Sequence, residues 1–225
     1  MYVLMLGAPG TGKGTIGKAL CSKYKLDHIA TGDIFREEIK NQTPLGIEAD
    51  KYISKGKLVP DSITIAMVED YLDNHKNALL DGFPRTTKQA KAFKEYLDEK
   101  NNEIIAVINL NIPDEDIIVR TSKRVVCSNK ECGASYNTEF MPSKKEGICD
   151  VCGSKLYHRK DDYPEIIQGR LDLYHKETEP LIGYYTKEGL LEVIDIDIYS
   201  PTTKEDTTNQ AIDIIKKRME VKIEE

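Results

Sequence analysis

The sequence predicts an α/β fold in three layers, in which a parallel β-sheet is flanked by helices. Short apolar runs with strand character recur along the chain, and helix-like stretches separate most of them. The first run leads into a nine-residue segment with four glycines, GAPGTGKGT, and helical spacing follows that segment. Strands that alternate with helices in this way are typical of a parallel sheet.

Five runs have strand character. In chain order they are Tyr2–Leu6, Asp27–Ala30, Ala78–Asp81, Ile104–Leu110 and Leu191–Ile196. Helical spacing occupies residues 16–24 and 164–186 and returns from residue 203 onward. The first three runs are each followed by a polar, turn-rich segment, namely GAPGTGKGT, TGDIFR and DGFPRT. Because ligands bind at the carboxyl ends of parallel strands, we expect these three segments on one rim of the sheet.

The segment GAPGTGKGT fits a phosphate-binding loop. Its glycines permit backbone conformations that a side chain would forbid, and the free amide groups at the start of the next helix attract an anion. Lys13 can reach the outer phosphates of a nucleotide. The usual pattern has Ser or Thr directly after the lysine, whereas here Gly14 stands there and Thr15 follows. We therefore expect the hydroxyl on the Mg²⁺ side to come from Thr15.

Asp81 ends an apolar strand-like run, and its carboxylate fits a residue that holds Mg²⁺ through water. The alternative for Asp81 is a helix cap.

The composition is that of a soluble globular protein, with 31% charged and 40% hydrophobic residues. A net charge of −6 argues against a nucleic-acid-binding surface, which needs clustered positive charge. The apolar run at the N-terminus has five residues and no basic flank, so we expect neither a signal peptide nor a membrane span. The expected location is cytoplasmic.

Four cysteines lie in a segment without helical or strand periodicity, residues 124–162. Their spacing is C-x4-C-x16-C-x2-C, and they are Cys127, Cys132, Cys149 and Cys152. Two such pairs can close a tetrahedral Zn²⁺ site, and four protein ligands make it structural rather than catalytic. Iron or another soft metal, disulfides and free thiols are the alternatives. Cys21 lies in a helical stretch and is expected to be a small buried hydrophobic residue.

Six segments stand in a characteristic order: GAPGTGKGT, TGDIFR (31–36), GKLVPD (56–61), DGFPRTTKQA (81–90), RKDD (159–162) and GRLDLYHKETEPLIGYY (169–185). Together they resemble the adenylate kinases, specifically the long-lid, zinc-containing bacterial type, from Met1 to about Pro201. The resemblance implies a P-loop NTPase-type core with two inserts. The core covers residues 1–29, 60–123 and 164–225. An AMP-binding insert covers residues 30–59, and a lid with the zinc site covers residues 124–163.

The resemblance also implies two nucleotide sites. The implied ATP site contains Gly10, Thr11, Gly12, Lys13, Gly14, Thr15, Arg120, Arg124, the base contacts Ser135 and Tyr136, and Ile198 through its backbone. The implied AMP site contains Thr31 and Gln89 near adenine, Arg36 and Arg85 on the phosphate, the backbone of Lys57, Leu58 and Val59, and the turn Gly82, Phe83 and Pro84. Arg159 and Arg170 would contact both nucleotides, and Asp161 and Asp162 would close with the lid.

The chemistry can be argued without the resemblance. A phosphate oxygen is already ionised at pH 7, so phosphoryl transfer to it needs aligned phosphates and neutralised charge rather than a catalytic base. Arginines suit this task because they bind phosphate through two hydrogen bonds. The expected catalytic residues are Lys13, Arg85, Arg124, Arg159 and Arg170. His28 is expected to be packed in the core rather than to act as a base.

Two positions depart from the family pattern. Val125 replaces the second of two adjacent arginines at the entrance to the lid, and Pro164 replaces a glutamate after the acidic pair.

The sequence therefore predicts a nucleoside monophosphate kinase that catalyses ATP + AMP = 2 ADP, with Mg²⁺ on ATP and structural Zn²⁺ in the lid. Its expected partners are ATP, AMP and ADP, with neither nucleic acid nor membrane, and the chain is expected to be a monomer. A kinase for UMP or CMP is the alternative within the same class. A zinc-containing nucleic-acid-binding module with a nucleotide switch is the remote alternative.

Overall fold

The structure, a computed structural model, describes residues 1–55, 57–129, 131–159, 162–200 and 203–224. Asp161 of the expected acidic pair lies outside the described residues, as do Gly56 and Lys160 of the motifs and Pro201 at the end of the resemblance. Within the described part, no helix is both long enough and apolar enough to span a lipid bilayer.

The elements alternate as the sequence predicts. In chain order they are β1 (Tyr2–Leu6), α1 (Lys13–Tyr24), β2 (Asp27–Ala30), α2 (Thr31–Lys40), α3 (Pro44–Ile53), α4 (Asp61–Asp73), β3 (Ala78–Asp81), α5 (Thr87–Glu99), β4 (Ile104–Asn111), α6 (Asp114–Ser122), β5 (Arg124–Cys127), β6 (Ser135–Asn137), β7 (Leu156–Tyr157), α7 (Pro164–Leu173), a π-helical segment (Tyr174–Thr178), α8 (Pro180–Lys187), β8 (Leu191–Asp195) and α9 (Thr203–Glu224).

Five strands form a parallel sheet in the order β2-β3-β1-β4-β8. All five residues of the central strand β1 are buried, because helices cover both faces of the sheet. Val3 and Met5 pack with residues of α1, α6, α7 and α9, whereas Tyr2 and Leu4 pack with residues of α2, α4, α5 and α8. The predicted three-layer α/β fold is confirmed.

Helices α2 and α3 meet at a glycine. A Cβ atom added to Gly46 would lie 2.0 Å from the carbonyl oxygen of Glu38 in α2, so the two helices are in direct backbone contact. Thr43 caps α3, since its side chain accepts a hydrogen bond from the N–H of Gly46 over 3.0 Å, and Pro44 occupies the first turn. The pair leaves the sheet after β2 and returns to it through α4.

A second, antiparallel sheet of three short strands, in the order β6-β5-β7, lies between α6 and α7. Val125, which departs from the family pattern, is a buried residue of this sheet and pairs with Tyr136. Pro164, the other departure, begins α7 at a position where a helix needs no amide donor. Both departures therefore have a local structural role.

Candidate active site

The glycine-rich loop joins β1 to α1 with three glycines at positive φ, namely Gly7 (134°), Gly10 (89°) and Gly12 (100°). A Cβ atom would lie 2.6 Å from the carbonyl oxygen of Leu110 at Gly7 and 2.3 Å from Oγ1 of Thr121 at Gly10. Both the backbone conformation and the contacts therefore exclude other residues at these two positions. The buried Thr11 steadies the loop, because its Oγ1 donates to the carbonyl of Ala8 over 3.0 Å.

The side chain of Lys13 lies inside this loop. Its Nζ donates to the carbonyl oxygens of Gly7 and Ala8 over 2.7 and 2.8 Å. Burial, with smaller contributions from the charges of Arg85, Arg170 and Arg124, lowers the pKa of Lys13 to about 8, against the opposing effect of Asp81. Lys13 thus stands among like charges that an anion would neutralise.

Asp81 ends β3 next to the start of α1. A Cβ atom at Gly14 would lie 3.3 Å from Oδ2 of Asp81, so a larger residue directly after the lysine would crowd this carboxylate. The following residue, Thr15, is half-buried in the first turn of α1. The position of Asp81 at a strand end argues against its alternative as a helix cap.

His28 is only partly consistent with the expectation that it is packed in the core. Its Nε2 is buried and has no hydrogen-bond partner among the described residues, yet it lies 4.0 Å from Oδ2 of Asp81. Burial lowers the pKa of His28, although the nearby Asp81 acts in the opposite direction.

The turns after β2 and β3 meet at the carbonyl of Gly82. Oγ1 of Thr31 and Nε of Arg85 both donate to this carbonyl oxygen over 2.9 Å. Gly82 has φ of 80°, and a Cβ there would lie 2.9 Å from both Thr31 and Arg85. The expectation that the three turn-rich segments share one rim of the sheet is thereby confirmed.

Arg85 is half-buried and lies near other cations. Burial lowers its pKa to about 10, and the charges of Arg170 and Arg36 add to this effect while Asp81 opposes it. Oγ1 of Thr178, in the π-helical segment, donates to the carbonyl oxygen of Arg85 over 2.9 Å. The adjoining Phe83 and Pro84 are buried.

Arg36 forms an ion pair with Asp33 one turn earlier in α2. Burial raises the pKa of Asp33, but the charge and hydrogen bond of Arg36, together with the charge of Arg159, result in a lowered pKa. Arg159 belongs to the segment after β7, so the lid side of the molecule lies within electrostatic range of α2. The described part of the segment before α4 places Lys57 at the surface, Leu58 half-buried and Val59 in the core.

Gln89 is almost fully buried, with 2% of its surface exposed, at the start of α5. Its Oε1 accepts the N–H of Arg85 over 2.7 Å, and its Nε2 donates to Oδ1 of Asp61 over 2.8 Å. The sequence analysis includes Asp61 only as the last residue of GKLVPD and assigns it no role, because an acidic residue in the first turn of a helix ordinarily indicates no more than a favourable dipole interaction.

The lid-side arginines surround Asp162, which is 4% exposed. Nε of Arg124 donates to Oδ2 of Asp162 over 2.7 Å, a second hydrogen bond joins Nη2 to Oδ1, and Nη1 of Arg170 lies 3.9 Å from Oδ1. Arg159 and Asp162 also line a cavity of about 260 Å³ with Ser122, His158, Tyr163 and Pro164. The structure therefore brings three of the expected arginines to one carboxylate or its neighbouring cavity.

Arg120 extends over the glycine-rich loop. Its Nη2 lies 3.2 Å from the position that a Cβ at Gly12 would take, and its Nη1 is buried without a hydrogen-bond partner among the described residues. Burial lowers the pKa of Arg120, and the charge of Arg124 adds to the effect. A buried guanidinium nitrogen with no protein acceptor, next to a phosphate loop, is what an anion site needs.

The three residues expected to contact the ATP base differ in burial and in their contacts. Ser135 is half-buried in β6, and Ile198 is a buried core residue, so only its backbone is available to a ligand. The hydroxyl of Tyr136 lies 3.4 Å from Sγ of Cys149 and accepts the N–H of Asp150 over 2.8 Å. Nothing in the sequence indicates this contact with the cysteine cluster.

The four cysteine sulfur atoms lie within 4.8 Å of one another. Two separations are 3.4 Å (Cys127 to Cys152) and 3.6 Å (Cys132 to Cys149), close to the ~3.8 Å edge of a tetrahedron with zinc–sulfur bonds of ~2.3 Å. The residues therefore fit a tetrahedral metal site, and the hydrogen bond from Tyr136 lowers the pKa of Cys149 to about 6. Cys21 is buried elsewhere, as predicted.

The lid sheet touches the helix that begins at the glycine-rich loop. Nζ of Lys18 in α1 donates to the carbonyl oxygens of Cys132 and Gly133 over 3.3 and 3.4 Å. The turn that carries Cys132 therefore lies beside α1.

Comparison with known proteins shows similarity over most of the chain. The sequence model of the family described as adenylate kinase matches residues 5–190. The adenylate kinase of Lachnoclostridium phytofermentans is 52% identical over 198 residues, which are 87% of this chain and 90% of that protein. The adenylate kinase of Clostridium tetani is 50% identical over 198 residues, 87% of this chain and 91% of that protein. That of Caldicellulosiruptor saccharolyticus is 49% identical over 209 residues, 91% of this chain and 96% of that protein. The chain therefore belongs to the adenylate kinase family and is a phosphotransferase.

Proposed function

We propose that this enzyme transfers the γ-phosphoryl group of Mg²⁺-bound ATP reversibly to AMP, giving two ADP. The observation that carries the proposal is the cluster of partly buried, positively charged side chains at the rim. Lys13 and Arg85 have pKa values lowered to about 8 and about 10, each in part by neighbouring cations, and a buried nitrogen of Arg120 has no hydrogen-bond partner in the described part of the chain. Two polyphosphates in this space would supply the missing negative charge.

In this proposal the ATP phosphates occupy the loop of residues 7–15, where Lys13 exchanges its two carbonyl acceptors for phosphate oxygens. Thr15 and Asp81 lie on the side of the Mg²⁺ that accompanies ATP. Arg120 and Arg124 face ATP from the lid side. Its base would lie near Ser135, Tyr136 and the backbone of Ile198, with the hydroxyl of Tyr136 already engaged at Cys149.

AMP would occupy the rim beyond β2 and β3. Arg36 and Arg85 bind its phosphate, while Thr31, Gln89 and residues 57–59 surround its base. Arg159 and Arg170 bridge the two nucleotides, and Asp162 holds Arg124 and Arg170 when the phosphates are absent. The acceptor oxygen is ionised at pH 7, so these residues align the phosphates and neutralise charge without removing a proton.

We also propose the three-part organisation, with the core at residues 1–29, 60–123 and 164–225, the AMP-binding insert at 30–59 and the lid at 124–163. Rotation of the two inserts would exclude water from the phosphates. Monomeric state and a cytoplasmic location are part of the same proposal.

Zn²⁺ is the proposed ligand of the four cysteines, where it would cross-link the lid sheet and take no part in the reaction. Chelator titration of the purified protein tests this: one equivalent of zinc should be released, and the lid should lose protection from proteolysis. Metal-free protein with unchanged protease resistance would contradict the structural role.

The function itself is tested by ADP formation from Mg²⁺–ATP with AMP, UMP, CMP or GMP as the single acceptor. AMP should be strongly preferred, and Arg85→Ala should lower kcat by about 10³-fold or more, by analogy with other phosphate-neutralising arginines. Arg218→Ala, a change of the same charge at the Glu192 ion pair, is the control and should keep full activity. Equal rates with UMP or CMP would contradict the assignment of AMP as the acceptor.

A further inference from the structure

The side-chain amide of Gln89 is held at both of its polar atoms. Oε1 accepts the backbone N–H of Arg85 over 2.7 Å, and Nε2 donates to Oδ1 of Asp61 over 2.8 Å. Only 2% of Gln89 is exposed, so an amide atom that lost its partner would be costly to leave unsatisfied.

Asp61 is itself held by the cap of helix α5. Oγ1 of Thr86 accepts the N–H of Gln89 over 3.1 Å, so its own hydrogen is available to Oδ1 of Asp61, also 3.1 Å away. Asp61 stands in the first turn of α4, two residues after Val59. The carboxylate therefore links the segment that precedes α4 to the start of α5.

The direction of every hydrogen bond in this group is determined by its chemistry. An ionised carboxylate only accepts, and a backbone N–H only donates. Rotating the amide of Gln89 by 180° would place Oε1 against the oxygen of Asp61 and the NH₂ group against the N–H of Arg85. Both contacts would be repulsive, so the amide has one stable orientation.

We propose that Asp61 is a positioning residue that determines base specificity by fixing the amide of Gln89 in the orientation that matches adenine. The inference rests on the proposed function, which places Gln89 beside the AMP base. Among the described contacts, one N–H of Nε2 and one lone pair of Oε1 remain uncommitted. Adenine offers an unprotonated ring nitrogen next to an amino group, which suits this donor and acceptor. Hypoxanthine and guanine offer a ring N–H next to a carbonyl, the reverse pattern, which would require the rotated amide.

The test compares AMP with IMP as acceptor, because the two differ only at this edge of the base. Asp61→Asn keeps the shape of the side chain but can present either an oxygen or an NH₂ group to Gln89. The ratio of kcat/KM for AMP to that for IMP should fall about tenfold or more, while kcat at saturating AMP stays within about twofold. A general structural defect would lower activity with both acceptors and leave the ratio unchanged.

Asp70→Asn is the matched control, since Asp70 lies in the same helix, is exposed and undergoes the same change of charge. It should leave the AMP to IMP ratio unaltered. If Asp61→Asn does not fold, Asp61→Ser, whose hydroxyl can also donate or accept, is measured instead with the same expectation.

A second comparison isolates the role of Gln89. In a Gln89→Ala background, Asp61→Asn should cause no further change in the ratio, because the group through which Asp61 acts is gone. An unchanged ratio in the single variant, or an equal change in both backgrounds, would overturn the assignment of Asp61. If the unsubstituted enzyme phosphorylated no AMP, the proposed function would fail, which is a separate and recognisable result.

Discussion

Arg124, the first residue of β5, and Asp162 form a bidentate ion pair. Nε of Arg124 donates to Oδ2 over 2.7 Å, and Nη2 donates to Oδ1. Only 2% of the Asp162 side chain and 19% of the Arg124 side chain are exposed, so little solvent screens the pair.

Replacing Asp162 with Asn should lower the free energy of unfolding by about 3 kcal/mol, because the buried guanidinium of Arg124 would lose its counter-charge. Urea denaturation measures the change. The exposed pair Lys94–Asp98 supplies a comparison, and Asp98→Asn should cost less than about 1 kcal/mol. Similar effects of the two substitutions would show that the Arg124–Asp162 pair contributes little.

Replacing Arg120 with Met should have opposite effects on stability and on substrate binding. The free enzyme should be as stable or more stable, since the buried Nη1 has no acceptor among the residues that the structure describes. KM for ATP should rise about 10- to 100-fold through loss of a charge-assisted bond. KM for AMP should stay unchanged. Thermal unfolding without ligand measures stability, and steady-state kinetics measures the two KM values. A strong loss of stability would contradict the claim that Nη1 of Arg120 makes no stabilising hydrogen bond in the free enzyme.

Binding of Mg²⁺–nucleotide at pH 8.5 should be accompanied by proton uptake at Lys13. Its pKa of about 8 leaves the free side chain mostly neutral at this pH, and the phosphates favour the charged form and raise the pKa. Calorimetry in two buffers with different ionisation enthalpies should give about 0.7 proton per nucleotide. Lys13→Arg, which stays charged throughout, should show no such uptake. Equal heats in both buffers for the unsubstituted protein would contradict the lowered pKa.

His175 should make a pH-dependent contribution to stability. Its Nε2 and Nδ1 lie 2.8 and 2.9 Å from carboxylates of Asp114 and Glu179, and these hydrogen bonds raise the pKa of His175 above its usual value. A raised pKa in the folded state stabilises the protein below the unfolded pKa of about 6.5, and this stabilisation is lost as the pH rises through the folded value.

The difference in Tm between the unsubstituted protein and His175→Gln should therefore be larger at pH 6 than at pH 8.5. Because the ring is partly exposed, the effect should be at most about 1 kcal/mol. His158→Gln, the same substitution at a histidine outside this pair of carboxylates, is the control. A difference in Tm that does not vary with pH would contradict protonation of His175 as the cause.

The central strands β1, β3 and β4 were predictable because they are buried on both faces and therefore form apolar runs such as Tyr2–Leu6. The position of the site at one rim of the sheet was predictable because ligands bind at the carboxyl ends of parallel strands. The lid strands were not predictable, since β6 has three residues and β7 has two, too few for a period to be seen.

Within the site, the short motifs were found from the sequence, but the hydrogen bonds that join residues of different motifs were not. Asp61 lies 28 positions before Gln89, and nothing in either segment indicates that the two side chains meet. The contact of Tyr136 with Cys149 is a similar case, because it depends on how β6 packs against the cysteine turns. Pairing of this kind arises only in the tertiary structure.

The close contact at Gly46 has a mechanical consequence. At Gly46 the backbones of α2 and α3 are in direct contact. No flexible side chain lies between them there, so sliding of one helix over the other is disfavoured. In any movement the two helices should therefore behave as one rigid unit. The bending that such a movement needs must then fall on the two short joints at its ends, where β2 meets α2 and where the chain enters α4.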